Sequence, residues 1–284
     1  TLKKNDTAAL QAAVVVTGTA STDVSWSTSN SAIVEITAQT AASCTIKANT
    51  SGTAVITAAS TFDGTKTAQY TVKAFEENAA AYMAEGGTIT IIKNAAGDAY
   101  EEIHAFKTTG SADFKWKDGV TPAASGALLV VGAGGGSGGA GSYPNLRGKG
   151  GNGGTVIYNA AFVLPSGSTT VTVGAGGAGG VFNGTYGGTG GSSAFGATVT
   201  ATGGTGGAGK QQSSAAGAAG MGAGSYTIET NTAKAYGAAG PSKSDIGAGT
   251  AGAANTGNGG QASYFADNGS GGGSGIVVVR FRYQ

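Results

Sequence analysis

A chain of 284 residues is long enough for one or two domains, and a hydrophobic content of 40% permits a buried core. Sixteen basic residues against fifteen acidic give a formal charge of +1, with only 11% of residues charged, which argues against nucleic-acid or membrane-surface electrostatics. Glycine is the outlier. Of 55 glycines only Gly18, Gly52, Gly64, Gly86, Gly87, Gly97, Gly110 and Gly119 precede Gly126, so the second half is either a flexible tether or an ordered fold built on glycine.

From Leu2 to Val72 short alternating segments (Leu10 to Val16, Val24 to Trp26, Ile33 to Ile36, Cys44 to Ile46, Thr53 to Ala58, Ala68 to Val72) are separated by Gly, Asn, Ser and Asp turns, which predicts a β-sandwich over 1–73. Cys44 is the only cysteine, so no disulfide forms within the chain, and it reads as a small buried hydrophobe rather than a nucleophile. Residues 74–87 read as a linker in which Glu76 to Glu85 form one short helix stopped by Gly86 and Gly87. Residues 88–284 form the second domain. Thr88 to Ile92, Tyr100 to Phe106 and Phe114 to Trp116 open it as strands, with a turn at Asn94 to Asp98. Beyond Gly126 the β-branched runs Ala127 to Val131, Thr155 to Tyr158, Thr169 to Val173, Ala197 to Thr200 and Ile276 to Phe281 punctuate the glycines. A tether has no need of such strand-forming runs.

Within the glycine tracts the other residues recur every third position. Gly174 to Gly180 has Ala175 and Ala178, Gly203 to Gly209 has Thr205 and Ala208, and Lys149, Asn152 and Thr155 stand three apart. Three is the turn of a polyproline II helix, whose outward N–H and C=O groups can bond a neighbouring helix only where Cβ is absent. Packed polyglycine II helices are therefore expected. Collagen is excluded, because glycine is not strictly every third residue and the chain has 4 prolines.

Catalytic chemistry is sparse. His104 is the sole histidine and sits on an alternating segment between Ile103 and Phe106, where a structural or surface role outweighs catalysis, and it lacks the partners of a metal site. Glu101 and Glu102 are adjacent, so on a strand they face opposite ways and make no carboxylate pair. A Gly-x-Gly-x-x-Gly match such as the one starting at Gly174 arises by chance in so glycine-rich a chain. No enzyme, cofactor or metal is expected. No apolar run approaches the ~20 residues of a membrane-spanning helix.

Function is expected instead in the loops that interrupt the glycines, where aromatic rings lie beside amides and charges, a composition suited to sugar faces or a protein receptor. The candidate contact residues are Tyr143, Asn145, Arg147, Phe182, Asn183, Tyr186, Tyr226, Tyr236, Tyr264 and Phe265. The alternative is that these aromatics cap the ends of the glycine bundle or join sister subunits.

Two stretches resemble known families. Val24-Ser25-Trp26-Ser27-Thr28-Ser29-Asn30, Ile33-Val34-Glu35-Ile36 and Ser51 to Ala58 resemble the bacterial group 2 immunoglobulin-like domain, which implies Trp26 as a core anchor and a first strand clipped at Thr1, as in a piece of a longer polypeptide. Leu128-Leu129-Val130-Val131-Gly132, Thr170 to Gly174, Gly190 to Gly196 and the closing Gly273 to Arg280 resemble the glycine-rich domain of bacteriophage tail fibres and adhesins and of some bacterial surface proteins. That resemblance implies packed polyglycine II helices whose loops touch a host receptor. The expectation is thus an all-β protein, an immunoglobulin-like sandwich followed by a glycine-rich domain of short strands and polyglycine II helices. It would be an adhesive virion-surface component such as a tail-fibre tip, a homo-oligomer whose partners are other virion or fibre subunits and a bacterial surface glycan or outer-surface protein. A bacterial surface protein or filament subunit binding its sisters is the alternative, a glycan-processing fibre enzyme would require a carboxylate pair across a cleft, and an ice-binding face is a remote further reading.

Overall fold

The computed structural model describes residues 1–78, 81–141, 146–184, 186–211, 213, 215–264 and 267–283. The chain is all-β, and among the described residues no helix occurs. It divides into two compact units, Thr1–Tyr82 and Met83–Tyr283.

The first unit contains β1 (Leu2–Lys3), β2 (Thr7–Gln11), β3 (Val24–Thr28), β4 (Val34–Gln39), β5 (Ser43–Ala48), β6 (Gly52–Ser60) and β7 (Thr67–Phe75). One sheet has the order β1-β7-β6-β3 and the other β2-β5-β4. Alternation puts Ala54, Ile56, Val72 and Ala74 of the first sheet into one core with Val34, Cys44, Ile46 and Ala48 of the second. Trp26 packs against that cluster while remaining partly exposed. Burial raises the Cys44 thiol pKa above its ordinary value. The strand expected over Leu10 to Val16 ends at Gln11, and Ala12 to Val16 are irregular despite their β-branched composition, because only 7–11 find ladder partners on β5.

The second unit opens with β8 (Ala84–Glu85), β9 (Thr88–Lys93), β10 (Tyr100–Phe106), β11 (Gly110–Trp116) and β12 (Ser125–Val131). It continues with β13 (Val156–Val163), β14 (Thr169–Val173), β15 (Ser193–Phe195), β16 (Val199–Ala201), β17 (Gly224–Tyr226), β18 (Lys234–Tyr236) and β19 (Ile276–Arg282). The helix expected over Glu76 to Glu85 does not form among the described residues. Its end is β8, paired with Lys115 and Trp116 of β11, so a tertiary ladder overrides local helix propensity.

Two five-stranded sheets, ordered β13-β12-β19-β10-β9 and β16-β15-β14-β11-β8, meet through an aromatic layer. Phe114 of one sheet lies edge-on to His104 at 5.1 Å and to Phe281 at 6.2 Å of the other. Within that layer Glu102 and His104 are wholly buried. The Glu102 carboxylate accepts the backbone amides of Met83 at 2.7 Å and Ala84 at 3.0 Å, and it meets His104 Nε2 at 2.8 Å. His104 Nδ1 donates to the Gly86 carbonyl at 2.7 Å. A buried ionisable pair is tolerable only when so fully bonded, and this one fastens the 83–86 segment to the sheets. The sole histidine is thereby a structural residue. On its other face the first of these sheets is covered by the β17–β18 hairpin, whose Ile228 and Tyr236 join Ile103, Leu129, Val131, Ile276 and Val278.

The glycine tracts extend from the ends of these strands, and their backbone bonds repeat every three residues. Amides of Gly132, Gly135, Gly138 and Gly141 donate to the carbonyls of Thr155, Asn152, Lys149 and Leu146. Those of Ala133 and Gly136 donate to Gly191 and Gly188, and those of Gly134, Ser137 and Ala140 to Gly273, Ser270 and Asp267. Carbonyls of the same tract accept from Gly204, Gly207 and Lys210, from Gly177, Gly180 and Asn183, and from Gly260. The 132–141 segment is therefore ringed by the segments 147–155, 187–191, 267–275, 174–183, 202–211 and 257–264. The tracts 215–220, 237–240 and 250–252 attach further out, through bonds such as Gly153 N to Ala218 O, Gly240 N to Gly151 O and Gly252 N to Gly271 O.

Contact is backbone to backbone. A Cβ on Gly136 would lie 2.0 Å from the Ala178 carbonyl oxygen and one on Gly151 1.9 Å from that of Gly135, so no side chain fits. Where the central tract does carry side chains they are small and fully buried, as at Ala133, Ser137 and Ala140. On the outside, residues spaced three apart form ladders: Asn152 Nδ2 donates to Thr205 Oγ1 at 2.6 Å, and the Thr155 and Thr202 hydroxyls are 2.9 Å apart.

Candidate interaction surface at the distal end of the glycine tracts

The tracts leave the sheets after β12, β14, β16 and β18 and return into β13, β15, β17 and β19, so each excursion reverses at the end remote from the sheets; the last one also turns back at 254–257, beside Val131 and Gly132, and makes a second outward run. Bonds across that end bring the reversals together. Arg147 exchanges both backbone bonds with Gln211 at 2.7 Å and bridges Tyr264, which in turn bridges Gly247. Lys210 N reaches Gly139 O, and Asn183 N reaches Ala140 O at 2.8 Å, both at the end of the central tract. Asn183 and Lys210 adopt left-handed φ values of 76° and 50°, which turn the chain where no ladder continues. Five segments that lie far apart in sequence thus share one surface.

Of the residues singled out from sequence, Arg147, Phe182, Asn183, Tyr186 and Tyr264 lie on this surface. The Arg147 guanidinium sits 4.1 Å above the Tyr264 ring, a cation–π stack, while its Nε is buried without a hydrogen-bond partner. The Phe182 amide donates to Asn268 Oδ1 at 2.6 Å, which ties two reversals together. Tyr186 is 74% exposed, Val181 57% and Ile246 72%. Tyr143, Asn145 and Phe265 lie outside the described residues.

Tyr226 and Tyr236 do not join the surface. The stretch 226–236, expected as a loop between glycine tracts, contains paired strands, with Tyr226 opposite Lys234 and Gly224 opposite Tyr236, and it lies on the sheets. Tyr236 is 1% exposed and donates its hydroxyl to Glu229. Tyr226 packs against Tyr158 with ring centroids 4.9 Å apart and planes tilted by 41°, and its hydroxyl donates to the Gly222 carbonyl. Burial, reinforced by the neighbouring carboxylate of Glu229, pushes the Tyr236 phenol pKa far above its ordinary value. Burial alone would raise the Glu229 carboxyl pKa, but hydrogen bonds from Lys107, Lys234 and Tyr236 outweigh it and hold the group below its ordinary value.

Lys210, Gln211, Ile246 and Asn268 are distal residues that sequence reasoning did not select. Their available signal was position alone: each closes or opens a glycine run, and nothing in their chemistry set them apart. Among the described residues no cluster of three or more His, Cys, Asp or Glu could hold a metal ion.

Comparison with curated proteins finds no match. The family model described as a glycine-rich domain matches residues 107–253, more than half of the chain, and spans most of the tracts and four of the five distal reversals. Together with the tract geometry, that match makes this chain a member of the glycine-rich domain family.

Proposed function

We propose that this is a non-enzymatic adhesive protein of a virion or cell surface, in which the second unit is a rigid scaffold presenting its distal reversals to a partner on a bacterial surface. The observation that carries this reading is the convergence of Gly139, Ala140, Arg147, Asn183, Lys210, Gln211, Gly247 and Tyr264, from five segments, on one end of a backbone-bonded array. Loops on a stiff support can vary in sequence without disturbing the fold, which is how recognition surfaces are commonly built. The exposed Tyr186, Phe182, Val181 and Ile246 supply apolar and aromatic contact area there.

In this reading the tracts are polyglycine II helices, supported by the three-residue period of their bonds and by glycine contacts that leave no room for Cβ. The first unit is an immunoglobulin-like spacer, supported by two sheets around one core and by the Val24-to-Asn30 motif. A bacteriophage tail fibre is the setting favoured by the resemblance of the strand and glycine motifs.

A second reading, a filament subunit that binds its sisters, draws on the outer edge of β13, where Val163 is 76% exposed. Binding of the full chain to bacterial cells and their isolated surface glycans separates the two. Saturable binding that weakens in Tyr186→Ala and Phe182→Ala supports the adhesin. Absence of cell binding, with concentration-dependent self-association that Val163→Lys abolishes, would replace it with the subunit.

A further inference from the structure

At the opposite pole of the second unit, where β12 begins and β19 ends, lies a cleft of about 590 Å³ lined by Glu101, Ser125, Gly126, Tyr158, Arg280 and Arg282 among others. It opens where a sheet comes apart. Pairing of β12 with β19 starts only at Ala127, and the register between β12 and β13 shifts between Gly126 and Leu128. Such irregularities are frequent beside binding sites, because they re-aim side chains and leave a gap in an otherwise closed sheet.

The wall of the cleft is fixed by Arg280. Its Nε donates to Glu101 Oε2 at 2.9 Å and its Nη2 to the same oxygen and to Asn231 Oδ1. Nη1 donates to the carbonyls of Thr227 at 2.9 Å and Thr230 at 3.2 Å. All of its N–H groups are engaged, so Arg280 is a brace with nothing left for a ligand. What remains for one is different in kind. Among the described residues none donates to Glu101 Oε1, whereas Oε2 accepts from Arg280. Arg282 stands directly across the ladder from Glu101, exposed, and among the described residues its side chain makes no hydrogen bond or ion pair. Tyr158 is 41% exposed and held in place by the Tyr226 ring behind it.

An aromatic face, one spare carboxylate oxygen, one spare guanidinium and the Ser125 hydroxyl make a set that offers both donors and acceptors around an apolar platform. The charge of Glu101 is already paired with Arg280, so selection rests on hydrogen bonding: a sugar hydroxyl both donates and accepts and so satisfies the spare Glu101 oxygen and the Arg282 N–H groups together, whereas a simple anion has nothing to donate to Glu101 and a simple cation nothing to accept from Arg282. The cleft's size falls within the ~300–1,000 Å³ of small-molecule sites. We infer that it is a binding site for a neutral sugar unit, with the pyranose face on Tyr158 and hydroxyls shared between Glu101 and Arg282. This site is separate from the distal surface and does not depend on the adhesive reading of it.

The test uses the full chain, isotopically labelled, titrated with glucose, galactose, mannose, N-acetylglucosamine and their disaccharides, with glucuronate and glucosamine as charged comparisons. At least one neutral sugar should shift the Gly126 amide and the Arg282 Nε–H saturably, with a Kd on the order of 1 mM for so few contacts. Arg282→Ala, which removes a partnerless exposed side chain, and Tyr158→Ala should each weaken it about tenfold or more, as loss of a stacked or hydrogen-bonding group does, while Phe182→Ala at the distal end leaves it unchanged. Failure of every neutral sugar to give a saturable shift, equal binding by both cleft variants, or equal binding of the charged sugars would each overturn the assignment.

Discussion

The paired sheets and the glycine tracts of the second unit satisfy a dry backbone in opposite ways. In the sheets, ladders hold strands edge to edge and side chains such as Leu129, Val278 and Phe281 fill the space between layers, so stability scales with apolar area removed from water. In the tracts there is no such filling. The 132–141 segment spends its amides and carbonyls on neighbours in six directions, and close approach replaces side-chain burial. Glycine costs extra backbone entropy on ordering, so these bonds stabilise only because they are many and cooperative. The lesson is that the two regions have inverse sensitivities: a sheet suffers from a missing methyl, a tract from an added one.

The sharpest way to break this comparison is to add that methyl. Gly136→Val or Gly151→Val should destabilise the second unit by more than about 4 kcal/mol or prevent folding, since the new Cβ would meet a carbonyl oxygen at 2.0 or 1.9 Å. Gly167→Ala, where nothing lies within 4 Å, should change stability by no more than ~1 kcal/mol. Urea unfolding of the three variants measures the contrast, and comparable losses in all of them would refute close packing of the tracts.

Next in size is the buried pair that anchors the sheets. Glu102→Ala leaves His104 and the Met83 and Ala84 amides without their acceptor and should cost about 3–5 kcal/mol by the same measurement. Amide exchange at Met83 and Ala84 should accelerate along with it. Within the aliphatic core, Ile276→Val removes one methylene from a fully buried site and should cost only ~0.5–1.5 kcal/mol, the ordinary penalty of a sheet core and far below that of the added methyl.

The smallest effect is in pH dependence and belongs to the hairpin on the sheets rather than to the tracts, which carry few ionisable groups. The Glu229 carboxyl is held below its ordinary 4.5, so its contribution is present above that value and lost as pH falls through the lowered one. The Tyr236 phenol is held above its ordinary 10.0, so its contribution is complete below 10.0 and lost as pH rises through the raised value. The thermal midpoint of the wild-type chain should therefore be flat between about pH 5 and 10 with respect to this pair. Glu229→Gln should blunt the acid limb, and an acid limb identical in both proteins would remove Glu229 as its source.

Much of this architecture was legible in the residues. The runs at 127–131, 155–158, 169–173 and 276–281 announce strands because β-branched side chains suit a pleated, buried surface, and each is a strand or lies within or beside one. For His104 the apolar neighbours left a structural or a surface role open, and its complete burial against Glu102 decides for the structural one. Local reasoning failed where tertiary pairing decided the outcome: Ala84 and Glu85 read as the end of a helix until β11 supplies them with a ladder. Tyr226 and Tyr236 read as surface aromatics like Tyr186, and only the packing of their hairpin against Ile103 and Leu129 distinguishes them.

By itself the sequence determined that glycine is segregated into one half, that the other residues there recur in threes, and that strands interrupt the tracts. It did not determine which tract lies beside which. One glycine run offers a neighbour the same amides and carbonyls as any other, so a low-complexity repeat carries almost no register of its own. The β-strands impose that register, since each tract begins where a strand ends. The meeting of Arg147, Gln211 and Tyr264 at the far end, and the cleft where β12 parts from β19, are consequences of tertiary structure alone.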